Sequence, residues 1–156
     1  GVRVVKGSVD LVKAVDAAIL AVKPQDFVCI LEEIKNSIGA KLIISIAAGI
    51  TSAYIEKYLG SVRFVRAMPN LPAKVGEGIT CLYKSKYATR EDELFAEGLF
   101  GYLGKTLVLD NEGMISAATA VSGSGPGFFF FQTRPSSGLR ICGGCRGRPL
   151  DSGFPA

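Results

Sequence analysis

Apolar residues in this chain fall in short unbroken runs, separated by stretches where they recur at helical spacing. Ala17-Ala-Ile-Leu-Ala-Val22 is a run of six small or apolar residues, ended by Lys23-Pro24-Gln25. Such a run reads as a strand buried on both faces of a parallel sheet. Pro24 stops it, because proline has no ladder N–H and restricts the residue before it. Lys41-Leu-Ile-Ile-Ser-Ile46, followed by Ala47-Ala48-Gly49, and Val62-Arg-Phe-Val-Arg-Ala-Met68, followed by Pro69-Asn70, repeat the pattern. Ser8 and Asp10 are placed to cap a short helix through Val15, and Asp26 to cap a second. Phe27, Ile30, Leu31, Ile34 and Ile38 line one face of that second helix, and Gly39 is expected to end it. Thr51 or Ser52 starts a third helix through Leu59, closed by Gly60. The order predicts a βαβαβ run with right-handed crossovers. Val2-Arg-Val-Val5 is strand-like too.

Beyond residue 70 the pattern changes. Gly76-Glu-Gly-Ile-Thr-Cys-Leu-Tyr83 reads as a strand with a glycine-loosened entry. Thr89 begins a helix to Tyr102, with Glu91 and Asp92 complementing its dipole. Lys105-Thr-Leu-Val-Leu109 is a further strand. From Glu112 a helix is expected through Met114, Ile115, Ala118 and Val121 to Ser122-Gly-Ser-Gly-Pro126, and Phe128–Phe131 should launch another. The strands near 17–22, 41–46, 62–67, 78–84 and 105–109 should share one sheet, the first three parallel. Val2–Val5 is expected to be unpaired or to close against a neighbour. The expected fold class is α/β over 1–110, followed by helices over 111–131.

Composition changes this picture mainly at residues 132–156. The 156 residues are 48% hydrophobic, enough for one domain with a core. The net charge is +4, but residues 1–131 hold 14 Lys+Arg against 13 Asp+Glu. A nucleic-acid surface should be a basic patch on the folded body, and here the surplus sits in the tail. No apolar run approaches the roughly 20 residues of a spanning helix, so no membrane partner is expected, and no signal peptide is visible. The chain begins with Gly, not Met, which suggests a fragment. Cys29 and Cys81 stand singly in apolar surroundings, where buried free thiols are common. Cys142 and Cys145 form one C-x-x-C without a second pair or any histidine, so no metal site is expected. The body reads as intracellular, reduced and cytoplasmic.

Lys23 at a strand end suits a phosphate or ribose, or is a solvated charge. Ala47-Ala48-Gly49 admits a close approach of a cofactor, or of a helix. Pro69-Asn70 holds an amide able to donate and accept, or is turn chemistry alone. Ser122-Gly-Ser-Gly-Pro126 is an anion nest, a substrate loop or an interhelical kink. No G-x-G-x-x-G follows any strand.

Together the motifs Ala21-Val-Lys-Pro-Gln25, Ser45-Ile-Ala-Ala-Gly-Ile50, Arg66-Ala-Met-Pro-Asn-Leu-Pro72, Gly76-Glu-Gly-Ile-Thr80 and Thr119-Ala-Val-Ser-Gly-Ser-Gly-Pro126 strongly resemble pyrroline-5-carboxylate reductase, over residues 1 to about 131. That family makes proline by reducing a cyclic imine with NADPH (or NADH). The resemblance implies a partial Rossmann-like NAD(P)-binding domain over 1–110 followed by the start of a helical domain over 111–131. In the first, Ala21, Val22, Lys23, Pro24, Ile46, Ala47, Ala48 and Gly49 would line the dinucleotide site, with Asn70 towards the nicotinamide. Ser122 and Ser124 are candidates for a substrate loop, and Ser122–Pro126 marks the join to a helical domain through which the family dimerises. The family's opening strand and glycine-rich turn have no counterpart here, and neither does its later substrate loop. The chain alone is therefore expected to be inactive.

Residues 132–156 hold five Gly and three Pro without helical or strand period. Read two nucleotides out of frame, their codons can encode a helix-forming string and then the Gly-Leu-Pro-Arg-Glu turn typical of the family. The tail is therefore expected to be a frameshift product without a packed structure, and Cys142-Gly-Gly-Cys145 accidental. Other readings are a different reductase on the same scaffold, a non-catalytic binding fragment and, last, a redox or metal module on Cys142 and Cys145.

Overall fold

The computed structural model describes residues 2–121. The elements run α1 (Ser8–Lys13), β1 (Ala17–Leu20), α2 (Phe27–Ile34), β2 (Leu42–Ser45), α3 (Ser52–Leu59), β3 (Arg63–Pro69), β4 (Gly78–Lys84), α4 (Arg90–Gly101), β5 (Gly104–Val108) and α5 (Gly113–Thr119). All five strands lie in one sheet in sequence order. β1, β2 and β3 are parallel, β4 is antiparallel to β3, and β5 is parallel to β4. The five expected strands and the parallel arrangement of the first three are therefore present.

Successive strand residues point to opposite faces, and both faces are buried in β2 and over Phe64–Ala67 of β3. β1 instead lies at the sheet edge and leaves Ile19 exposed, against the expectation that it is buried on both faces. Ile43 and Phe64 join Phe27, Leu31, Ile34 and Ile55 in one fully buried layer. Leu42, Ile44, Val65 and Ala67 pack with Ala96 and Phe100 in the other, below α4. Each large side chain so buried contributes about 1.5–3 kcal/mol. A smaller cluster of Cys81, Leu109 and Ile115 seats α5 beside β4.

Several expected termini differ. The N-cap of α1 is Gly7, without a side-chain cap, and the helix stops at Lys13. Neither Ser8 nor Asp10 caps it. Asp26 makes no capping bond, because Pro24–Asp26 already forms a 3₁₀ turn that leads into α2. That helix ends at Ile34, short of Gly39. Val2–Val5 forms no strand, and Val2 and Val4 are exposed, in keeping with the unpaired alternative. Cys29 is exposed while Cys81 is buried, so only one of the two thiols sits in the core. Thr51 and Gly60 bound α3 as expected, Thr51 accepting a hydrogen bond from Tyr54 N–H.

The strongest local stop signals lie in the second half. Thr89 and Asp92 form a reciprocal capping box at the start of α4. Arg63 Nε donates to Asp92 Oδ2 at 2.9 Å, and Arg63 Nη1 reaches Ala40 O at 2.9 Å. At the entry to β4 and β5 two glycines touch: a Cβ on Gly104 would lie 2.1 Å from Gly78 O. Only glycine fits there.

Candidate functional site

Because β1, β2 and β3 are parallel, their carboxyl ends share one edge. Ser45 is the register partner of Leu20 on one side and of Arg66 on the other, and strands are about 4.8 Å apart. Ala21–Pro24, Ile46–Gly49 and Asn70 all follow directly from these ends. In open α/β sheets this edge is where ligands bind.

The candidates are not equally open. Ala21, Lys23, Pro24, Ala48 and Gly49 are exposed, whereas Ala47 is buried and Val22 packs partly into the core. Ile46 is half-buried against the second layer, its N–H donating to Leu20 O at 3.3 Å. The Lys23 backbone is extended, and its carbonyl accepts from Asp26 N–H at 2.9 Å. Among the described residues no ion pair involves its ammonium group. Gly49 has φ +78° with open space where a Cβ would stand. Asn70 Oδ1 accepts from Ile79 N–H at 2.9 Å, which clasps the entry of β4 and fixes the amide. Asn70 lines a shallow apolar hollow of about 450 Å³ with Pro69, Leu71, Ala73, Lys74 and Leu103. Ala48 and Gly49 instead wall a smaller cavity of about 170 Å³ with Arg66, Met68, Ser116 and Thr119. Lys23 lines neither of these two. Ser122, Ser124, Phe128–Phe131, Cys142 and Cys145 lie outside the described residues.

The sequence reading missed Arg66, Glu112 and Ser52 as a group. Arg66 is buried on β3, and its Nη1 donates to Glu112 Oε1 at 3.2 Å. The same carboxylate accepts from Ser52 N–H at 2.7 Å and Ser52 Oγ at 2.6 Å. Among the described residues Arg66 Nε is buried without a partner. The only signal available in advance was a cation inside an apolar strand, which demands a partner. Among the described residues no cluster of His, Cys, Asp or Glu is arranged to hold a metal, and no helix is long and apolar enough to cross a membrane. Burial pushes the Cys81 thiol up.

Two crossover helices on a parallel unit, with small residues at its carboxyl edge, define a Rossmann-like α/β domain. Residues 1–49 match the family model "NADP oxidoreductase coenzyme F420-dependent". The chain is 40% identical over 131 residues to pyrroline-5-carboxylate reductase of Arabidopsis thaliana, covering 83% of this chain and 47% of that protein. The solved pyrroline-5-carboxylate reductase of Coxiella burnetii superposes with a TM-score of 0.78 at 34% identity, covering 82% of this chain and 48% of the other. The Plasmodium falciparum pyrroline carboxylate reductase, solved with NADP bound, gives 0.76 at 30% identity over 82% and 49%. Over 131 residues this chain is homologous to curated pyrroline-5-carboxylate reductases. It spans about half the length of the curated relatives it matches.

Proposed function

We propose that this domain binds NADPH (or NADH) along the carboxyl edge of β1–β3, and that it is the dinucleotide half of a cytoplasmic, homo-oligomeric pyrroline-5-carboxylate reductase. The observation that carries this is the alignment of Ala21–Pro24, Ile46–Gly49 and Asn70 on one edge. The edge suits a dinucleotide: Ala48 and Gly49 leave the backbone approachable, and Lys23 offers to a phosphate or ribose a cation that has no ion-pair partner among the described residues. The bound cofactor supplies a hydride from nicotinamide C4 to the imine carbon, while the imine nitrogen takes a proton to give proline.

The residues here bind and orient. Asn70 is held by Ile79 N–H with its amide NH₂ left to donate, a geometry suited to fixing the nicotinamide end. Ala47, seated in the core with its N–H on Ser45 Oγ at 3.2 Å, keeps the second loop in place. Holding the reacting carbons together accounts for much of the rate in such reactions. Ser122 and Ser124 stand, on the family resemblance, for the approach to the substrate domain, with 1–110 and 111–131 on either side of the boundary.

An NMR titration of the ¹⁵N-labelled chain with NADPH tests the cofactor site, because it reads weak binding residue by residue. Amides of Val22, Lys23, Ala47, Ala48 and Gly49 and the Asn70 side chain should shift. Shifts confined elsewhere, or none at millimolar NADPH, would refute the site. The reaction is tested in a chimera joining residues 1–121 to the remainder of the Arabidopsis relative. That chimera should oxidise NADPH only when the imine is present, whereas the chain alone should not. A folded chimera that stayed inert would end the reductase reading.

A further inference from the structure

The second loop is held at both ends, but by different means. Its entry is local: Ala47 N–H donates to Ser45 Oγ two residues earlier. Its exit is not. Ser52, the first residue of α3, gives both its N–H and its hydroxyl to the two oxygens of Glu112, a residue 60 positions away at the start of α5. Glu112 is mostly buried and is itself held by Arg66 Nη1, from a side chain only 5% exposed. One carboxylate thus accepts three hydrogen bonds from α3 and β3. Bonds to a charged acceptor are the stronger kind, and the dipole at the start of α3 favours an anion there. Thr51 caps the same helix through Tyr54 N–H, so Glu112 is an external addition to a terminus already capped locally. The cavity walled by Ala48, Gly49, Arg66, Met68, Ser116 and Thr119 lies between the elements this network joins.

We infer that Glu112 is a positioning residue for the dinucleotide site: standing at the start of α5, it sets the path of Ile46–Thr51 through Ser52 and ties that path and the seating of α5 to β3 through Arg66. This rests on the cofactor reading above. A shift of α5 therefore moves the loop, and a dinucleotide seated on the loop resists the shift.

The experiment uses the full ¹⁵N-labelled chain and its Glu112→Gln and Ser52→Ala variants, with Glu56→Gln at the exposed Lys86 pair as control. Without ligand, the amides of Ala47, Ala48 and Gly49 should move in both test variants and not in the control. With NADPH, the midpoint should rise about tenfold in Glu112→Gln. Adenosine 2′,5′-bisphosphate, which lacks the nicotinamide half, should keep its midpoint. Loop amides unmoved in both test variants would overturn the inference. So would an equal weakening of both ligands, which marks a general loss of structure. If the unsubstituted chain binds no NADPH, the cofactor reading falls, and the ligand-free amide shifts still decide whether Glu112 positions the loop.

Discussion

The half of the sheet built on β1–β3 and the half built on β4–β5 are secured in different ways. In the first, α1 and α2 start without any side-chain cap, and the carboxyl edge carries Ala21, Lys23, Ala48 and Gly49 open to solvent. In the second, α4 carries a capping box, Asp92 is buried against Arg63, and Gly78 and Gly104 meet backbone to backbone. One half leaves polar backbone and small side chains available at its edge. The other uses its polar groups within the fold, on itself and on Arg63 of β3. Substitutions in the second should therefore cost stability, and those at the first edge should cost ligand contact.

The largest effect is expected at Gly104→Val, whose Cβ would overlap the Gly78 carbonyl. Folding should be lost, by more than about 4 kcal/mol, seen as absence of a cooperative thermal transition. A cooperative melt would show that the β4–β5 entry is not rigid.

Next comes Asp92. Its carboxyl is held below the ordinary value, first by the Arg63 guanidinium and also by Thr89. An unfolded aspartate ionises near pH 3.9, roughly, so the folded form binds fewer protons just below that pH. The stabilisation is then complete above the ordinary value and is lost as pH falls through the lowered one. Acid unfolding curves should steepen below about pH 4, and Asp92→Asn should flatten that limb. At neutral pH the variant should lose about 1–2 kcal/mol, discounted because Arg63 is partly exposed. An unchanged acid limb would remove Asp92 from the comparison. Thr89→Ala removes only the cap and should cost about 1 kcal/mol in denaturant melts.

Lys23→Ala sharpens the comparison from the other side. Its stability should stay within about 0.5 kcal/mol of the original, while the NADPH-induced shifts at Ala21–Lys23 shrink. A clear loss of stability with unaltered NADPH shifts would reverse the assignment of the two halves.

Much of this was legible in the chain. Leu42–Ser45 and Phe64–Ala67 are buried on both faces, and a mostly apolar run, broken here only by Ser45 and Arg66, is the signature of that environment. The start of α4 was legible because Thr89 and Asp92 are three residues apart and satisfy each other. Ser8, Asp10 and Asp26 misled because a capping residue type is common, and only the local backbone decides whether its oxygen reaches an N–H. At Asp26 the preceding 3₁₀ turn had already set that backbone.

The sequence alone determined which segments are strands, since burial leaves few polar positions inside them, Ser45, Arg66 and Thr80 among these. It also determined where the edge loops fall, since Pro24, Gly49 and Pro69 end the runs. Tertiary structure alone decided that β4 reverses against β3. It alone brought Ser52, Arg66 and Glu112 to one carboxylate, across separations of 60 and 46 residues. Hydrophobic runs are local and follow from the period of the chain, whereas a buried charge is satisfied by whichever partner the packing brings near, and that partner leaves no periodic trace.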